Sequence, residues 1–408
     1  MRILIISQWY APEPDGKVSM LAKSLVKKGH SVNVITAFPN YPQGKLYEGY
    51  RIKWRQWEKR NCVKILRLPV YPDHSRSVIK RSFNYGSFSL SLMALGPLMV
   101  VRPDVIWGYT ALVGIPSLWF SFLFQTPFVL EIADPWPEAL IASGMVKKGF
   151  LTKSLEILLN KVYKRASALT VQHPGFKHNL MEKEIDPGKI YVIENWADSN
   201  IYKSLDRDEK LARQYGFYGK FNIVFAGTMG FAQGLETIIQ AASILRDIPD
   251  IQFIFIGDGS CFTQIKKYSE SLGTSNVIFL GRQPKEKMAS FFALADGLLV
   301  HLRKDPIFEI TIPSKTQSYL ACARPIIMAL GGDGAQLVQE NKCGLTCPSE
   351  DPKALANTVL KLKNMSIEER QTMGEASRQV YLNRFTETIL LDKMESVLIK
   401  AAKHSKGN

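Results

Sequence analysis

Three short segments in the second half of the chain carry residue types suited to holding an anion. The first, FAGTMGFAQGLETIIQAA at 225–242, leaves a strand-like run, passes Gly227, Gly230 and Gly234, and enters an apolar pattern of helical spacing. Glycines let backbone N–H groups approach an anion, and the N-terminus of a helix adds favourable partial positive charge. The second is GDG at 257–259, directly after IQFIFI. The third is IPSKTQSYLACARPIIMAL at 312–330, where Pro313 and Ser314 suit a helix entry, with the serine as its cap. Lys315 then falls in the first turn, where a cation opposes the helix dipole. It makes sense there if an anion binds between the amine and the backbone amides. One Gly-x-x-Gly turn is a weak signal, but three such turns on strand ends of one sheet reinforce one another. The spacing does not match G-x-G-x-x-G, so a nicotinamide enzyme is not indicated.

Such turns need strands to end on and helices to begin. Strand-like runs fall at 2–7, 31–37, 63–70, 104–107, 127–132, 168–171 and 190–193, then at 221–226, 251–256, 277–280, 297–302 and 325–329. Between the first two, Val18, Leu21, Ala22, Leu25 and Val26 keep helical spacing, and Gly29 stops the helix. Strand–helix–strand alternation predicts parallel sheets wrapped by helices. The rhythm restarts near residue 220 after the polar stretch ADSNIYKSLDRDEKLARQYGFYGK, which places the hinge there. The expected fold is α/β, with two doubly wound, Rossmann-like domains facing across a cleft and ligands held at the carboxyl ends of the strands. The first domain covers 1–200 plus a C-terminal helix at about 385–408. The second covers 201–384. A single helix at about 367–403 is expected to return to the first domain.

The 408 residues, 46% apolar and 22% charged, describe a globular chain of two domains, not a disordered or fibrous one. Five scattered cysteines argue against a secreted disulfide scaffold. The N-terminus MRILIISQWYAPEPDG reads as a first strand and not as a signal peptide. Net charge is +15 and uneven: residues 1–200 carry 26 Lys and Arg against 15 Asp and Glu. Ten basic residues crowd 51–81, among them Arg76 and Arg81, against two acidic ones. Such a concentration suits an anionic partner. Two uncharged stretches follow, 82–101 and 105–130, both interrupted by Ser, Gly, Pro, Asn or Gln. They read as buried helices or as an apolar surface resting in a membrane interface, rather than as bilayer spans.

The chain resembles the GT-B glycosyltransferases of family 4, which retain anomeric configuration and use nucleotide sugars. The matching pieces are AGTMGFAQGLETI, FIGDG, VIFLGRQPKEKM, ADGLLVHL, PSKTQSYLACARPI and CGLTCPSEDPKALA, with WYAPEPDG, EIADPWPEAL, VQHPGF and VIENWAD in the first half. PWPE and PSKTQSYLA look most like transferases of O-antigen and capsule assembly, including the N-acetyl-L-fucosaminyltransferase group.

The resemblance implies a donor site made of Gly16, Gly227, Gln233, Gly257, Arg282, Ser314, Lys315 and Gln317. Gly227 and Gln233 lie on the donor turn, with Gln233 where many relatives have a basic residue. Gly257 lies beside the nucleotide, and Arg282 borders the base. Ser314 and Lys315 start the helix that receives the diphosphate, and Gln317 faces the donor sugar or ribose. Gly16 leaves room for the donor against the first domain. Asp134, with Trp136, Glu138 and His173, belongs to the acceptor side. Asp134 and Lys315 are the catalytic pair: Lys315 neutralises the departing diphosphate, and Asp134 orients the acceptor hydroxyl or acts as a base. Two departures stand out. The glutamate pair of many relatives aligns with Ile310 and Ser318, with Glu309 one position out of register. Ala133 replaces the His or Arg that relatives place before Asp134.

The implied reaction moves a sugar, an N-acetylated hexosamine or deoxyhexosamine, from a UDP-linked donor to a polyprenyl-diphosphate-linked glycan. The expected setting is the cytoplasmic face of the inner membrane, reached through the basic and apolar 51–130 region, with no cofactor or essential metal and no nucleic acid. Alternatives are a nucleotide-sugar epimerase of the same two-domain form and a non-catalytic binder of anionic polymers. Asp206-Arg207-Asp208 fits a helix cap or solvated turn better than a metal–diphosphate motif, because it precedes a helical pattern. Cys343 and Cys347 lack the second pair that a zinc site needs.

Overall fold

The computed structural model describes residues 1–14, 16–75, 77–142 and 146–404. Asp15 of the WYAPEPDG piece, Arg76 of the basic run and the last four residues of the expected C-terminal helix lie outside them. Contacts divide the chain into one unit of Met1–Ile193 with Leu391–Asn408 and a second of Glu194–Leu390.

The first unit is built on eight strands: β1 (Arg2–Ile6), β2 (Ser31–Ala37), β3 (Gln56–Arg60), β4 (Val63–Leu68), β5 (Val105–Tyr109), β6 (Phe128–Ile132), β7 (Ala168–Val171) and β8 (Ile190–Val192). They lie in the order β3-β4-β2-β1-β5-β6-β7-β8. Every neighbouring pair is parallel except β3 with β4. The buried strands are near-continuous apolar runs, as a sheet covered on both faces requires. Its helices are α1 (Lys17–Lys27), α2 (Val78–Leu95), α3 (Gly114–Phe124), α4 (Glu138–Ala142), α5 (Phe150–Arg165) and α6 (Pro174–Glu182).

The second unit holds α7 (Glu209–Tyr215) and six parallel strands: β9 (Phe221–Ala226), β10 (Ile251–Ile256), β11 (Val277–Gly281), β12 (Gly297–His301), β13 (Ile326–Ala329) and β14 (Gly344–Cys347). Their order is β11-β10-β9-β12-β13-β14. Around them pack α8 (Leu235–Ile244), α9 (Phe262–Ser271), α10 (Met288–Ala293), α11 (Pro306–Glu309), α12 (Lys315–Ala321), α13 (Gly332–Glu340), α14 (Pro352–Asn364) and α15 (Ile367–Arg384). Two buried clusters share the sheet, one around Ile254, Leu298 and Tyr319 and the other around Phe225, Ile239 and Val359. α16 (Glu387–His404) rejoins the first unit, where Lys28 bonds Asp392 and Glu395, and His30 reaches Glu395 at 2.8 Å.

Both units are therefore doubly wound α/β sheets, as expected. Three local expectations change. β3 is a charged antiparallel edge strand, QWEKR, with no apolar alternation to announce it, and β14 is a four-residue edge strand. The expected helix over 367–403 is two, α15 and α16, interrupted at Phe385 and Thr386, with Phe385 fully buried in the second unit's core.

Candidate active site

In the second unit, connections from β9 run one way to β10 and β11, while β12, β13 and β14 lie on its other side. The strand order thus reverses at β9 and β12, and the space beyond their carboxyl ends is where open α/β sheets take ligands. Gly227 to Gly234 follow β9, His301 ends β12, and Lys315 opens α12. The Lys315 amine lies 3.0 Å from Gln233 Oε1, 3.6 Å from the centre of the Phe225 ring, and 3.3 Å from where a Cβ on Gly227 would stand. No carboxylate pairs with it among the described residues. Lys315 is only half-buried as a residue, yet the protein packed around its amine lowers the pKa to about 7 by desolvation. An amine held over an aromatic ring with one neutral acceptor lacks a counter-ion, and an anionic ligand would supply it.

The glycine turns are locked into one another. Gly227 has φ 137° and Gly257 φ 140°, both in the region that favours glycine. A Cβ on Gly257 would stand 2.0 Å from the Gly227 carbonyl oxygen. Gly227 N–H donates to Ile256 O, Met229 N–H to Asp258 O, and Gly257 N–H to Gly281 O, all at 2.8–2.9 Å. The last bond ties the loop that carries exposed Arg282 to the Gly257 turn.

His301 fixes the turn of Gly227 to Gly234 through its ring. The Glu350 N–H donates to its Nε2 at 3.3 Å, so Nδ1 carries the proton and donates to the Gln233 carbonyl at 2.6 Å. Burial drives its pKa down to about 4, so the ring is neutral in this role. Arg303 adds Nε to Phe231 O at 2.8 Å and ion pairs to Glu236 and Glu350. Tyr319 of α12 accepts from Ala226 N–H at 2.8 Å, which holds the helix to the end of β9. Sequence reasoning missed His301, Arg303 and Tyr319; a histidine ending an apolar strand was the available signal.

Gly227, Gln233, Gly257, Ser314 and Lys315 thus come together at one end of the sheet. One expectation differs. Ser314 makes no side-chain cap, because its backbone is already helical (φ −59°, ψ −19°); instead Thr316 N–H donates to Pro313 O at 2.8 Å. Gln317 is wholly enclosed, with neither amide atom hydrogen-bonded within the protein. Ser318, at the aligned glutamate position, is hydrogen-bonded to the Tyr202 hydroxyl, and Glu309 is exposed with its carbonyl against Gly332. Asp208 caps α7 through Lys210 and Leu211 N–H groups, and Cys343 and Cys347 are buried thiols with pKa values pushed up to about 11.

In the first unit, strand order reverses at β1 and β5. The loop after β1 is held by buried Glu13, which accepts from Tyr10, Asn40 and Tyr41 N–H groups at 3.2, 2.7 and 2.8 Å. Burial raises this carboxyl to about 7 against the pull of those bonds. Gly16 begins α1 at φ 35° with open space where a side chain would stand. Beside it, the Lys17 amine is bonded to fully buried Glu131 of β6.

Asp134 follows β6 and is exposed, yet the protein crowding its carboxyl raises its pKa by desolvation. Trp136 is half-buried in the same loop. The Glu138 carboxylate is engaged by Lys183, which fastens α4 to the end of α6. His173 is buried at the start of α6 with its ring against Phe176 at 4.7 Å, and His178 bonds Pro174 O within that helix.

Comparison with known proteins agrees with this arrangement. Residues 17–196 match the glycosyl transferase 4-like domain, and residues 207–380 match the glycosyl transferases group 1 family. WbjE of Pseudomonas aeruginosa, which carries a glycosyltransferase name, is 27% identical over 75% of this chain and 76% of its own. WcaI of Escherichia coli strain K12, named for glycosyl transfer in colanic acid biosynthesis, is 29% identical over 79% and 81%. The crystal structure of Anabaena Alr3699/HepE in complex with UDP and glucose superimposes with a TM-score of 0.74 at 16% identity, covering 98% of this chain and 99% of that one. The two family models take in most of the chain between them, and it belongs to the GT-B glycosyltransferases, with group 1 and 4-like domains in succession.

Proposed function

We propose that the chain is a retaining transferase of bacterial surface polysaccharide synthesis, of the N-acetyl-L-fucosaminyltransferase type. It moves an N-acetylated hexosamine or deoxyhexosamine from a UDP-linked donor to a polyprenyl-diphosphate-linked glycan, without a metal, at the cytoplasmic face of the inner membrane. One observation carries the reading: the Lys315 amine stands without a counter-ion over the Gly227 turn, where the strand order reverses. The crystallised HepE holds UDP and glucose, and WcaI is named for an exopolysaccharide pathway, which supports the donor class and the setting.

In this reading the glycine-turn amides and Lys315 hold the diphosphate, and Arg282 borders the base. As the bond from the anomeric carbon to the phosphate oxygen breaks, Lys315 offsets the charge that builds on the leaving group. The acceptor hydroxyl attacks from the same face, and its proton passes to the leaving phosphate oxygen. Asp134 orients that hydroxyl. Burial raises its pKa, which strengthens the carboxylate as a hydrogen-bond acceptor for that hydroxyl. The basic and apolar 51–130 region seats the enzyme on the membrane that carries the acceptor.

The test is transfer from UDP-N-acetylhexosamines to a synthetic polyprenyl-diphosphate sugar, with the product anomer read by NMR and EDTA present in a parallel reaction. A product of retained configuration that EDTA leaves unchanged supports the reading. An inverted anomer, dependence on added metal, or transfer only from GDP-sugars would overturn its corresponding part.

A further inference from the structure

The connections β4 to β5, β5 to β6 and β6 to β7 all step in one direction across the first sheet. Right-handed crossovers therefore place α2, α3 and α5 on the same face, with α1, whose connection steps the other way, on the opposite one. The three helices pack side by side. Trp119 of α3 donates to Met93 O of α2 at 3.1 Å, and a Cβ on Gly114 of α3 would stand 3.2 Å from Val162 of α5.

Each helix buries one side and leaves apolar groups on the other. In α5, Leu159, Val162 and Tyr163 are buried, while Phe150 and Leu151 are 83% and 82% exposed, with Ile157 and Leu158 also exposed. On α3, Phe122 is 74% exposed, and on α2, Phe83 is 65% exposed. Two adjacent side chains of this size, Phe150 and Leu151, each more than four-fifths exposed at one helix start, form an apolar patch of the kind that takes a partner.

Charge decides what covers it. Lys147, Lys148 and Lys153 surround the first turn of α5, all exposed. Cations there oppose the helix dipole, so helix stability does not explain them. Aromatic and aliphatic groups rimmed by lysine fit an anionic bilayer surface, where the apolar tips enter the acyl boundary and the ammonium groups meet phosphates. No helix among the described residues is long and apolar enough to cross a membrane, so this face would lie on the bilayer.

We infer that the first turn of α5, led by Phe150 and Leu151 and ringed by Lys147, Lys148 and Lys153, is an insertion anchor for anionic membrane, outside the 51–130 region that the sequence singled out. The inference rests on the membrane seating proposed above. The test is sedimentation of the full chain with vesicles of phosphatidylglycerol and phosphatidylcholine, and with phosphatidylcholine alone. The Phe150→Ser/Leu151→Ser variant is run in parallel, with calorimetric UDP binding and analytical ultracentrifugation as further readouts.

Expected is binding of the parent chain to the anionic vesicles only. The variant loses on the order of tenfold in vesicle affinity. Its UDP affinity and melting temperature are unchanged. If parent and variant bind equally, the anchor is elsewhere and the seating through 51–130 stands alone. If the parent binds neither vesicle and instead forms a dimer that the variant dissociates, the face is a protein interface, and both the anchor and the seating are wrong.

Discussion

Lys315 concentrates the account in one side chain. A charged hydrogen bond to a diphosphate contributes about 1.5–3 kcal/mol, so Lys315→Ala should weaken UDP binding by about tenfold to a hundredfold, measured by calorimetry. Because burial lowers its pKa to about 7, the free enzyme holds the amine partly neutral at neutral pH, and an anion must recharge it. UDP affinity should therefore fall as pH rises above about 7, by at most about tenfold per pH unit, and Lys315→Arg should flatten that slope. The same shift has a stability consequence of opposite sign. An unfolded lysine keeps its proton up to its ordinary pKa of 10.5. The cost of burying the charged amine is thus fully present below about pH 7 and is relieved as pH rises from 7 towards 10.5. Lys315→Met should raise the melting temperature at neutral pH while weakening UDP binding as much as Lys315→Ala does, as expected of a residue kept for function and not for fold. Lys315 was legible in the sequence because a lysine in a first helical turn is locally wrong. That Gln317 is enclosed was not legible, because its neighbours in sequence do not tell which side of a seven-residue helix faces the core.

At the scale of elements, the site is a set of turns that hold one another. A methyl group on Gly257 would meet the Gly227 carbonyl at 2.0 Å, so Gly257→Ala must displace backbone. It should cost about 1–3 kcal/mol in denaturant unfolding and remove UDP binding. His301→Ala leaves two part-buried backbone groups, the Gln233 carbonyl and the Glu350 amide, without their partner, at about 1 kcal/mol each. UDP binding should weaken severalfold with it, because Gln233 both bonds His301 and receives the Lys315 amine. With its ring neutral down to about pH 4, His301 should impose no titration of its own on UDP binding between pH 6 and 8. The central strands could be read because strands buried on both faces are continuous apolar runs. β3 and β14 could not, since edge strands need carry no such run, and the break between α15 and α16 turns on Phe385 inserting into a core that sequence spacing does not reveal.

At the scale of the whole chain, the last helix belongs to the unit that the chain began. α16 buries Met394, Val397 and Leu398 and sets Asp392 and Glu395 on Lys28. At about 1.5–3 kcal/mol for each buried side chain, a chain ending at Leu390 loses stability comparable to that of an average domain. Its first unit should unfold, which limited proteolysis would show as cleavage confined to residues before 194. The alternation of strand and helix made the two sheets legible, and the three glycine or lysine turns marked the carboxyl end of the second, where the strand order reverses. The surroundings of Glu138 and His173 were harder to read, because Lys183 and the packed face of Phe176 meet them only once the fold is formed. In the proposed function, the second unit holds a nucleotide diphosphate through Lys315 and its glycine turns. Calorimetric titration of the full chain with UDP, beside GDP and beside Lys315→Ala, tests it most directly. Saturable binding of UDP in preference to GDP, lost or greatly weakened in Lys315→Ala, is the predicted result. UDP binding that the substitution leaves unchanged, or no nucleotide binding by the parent chain, would contradict it.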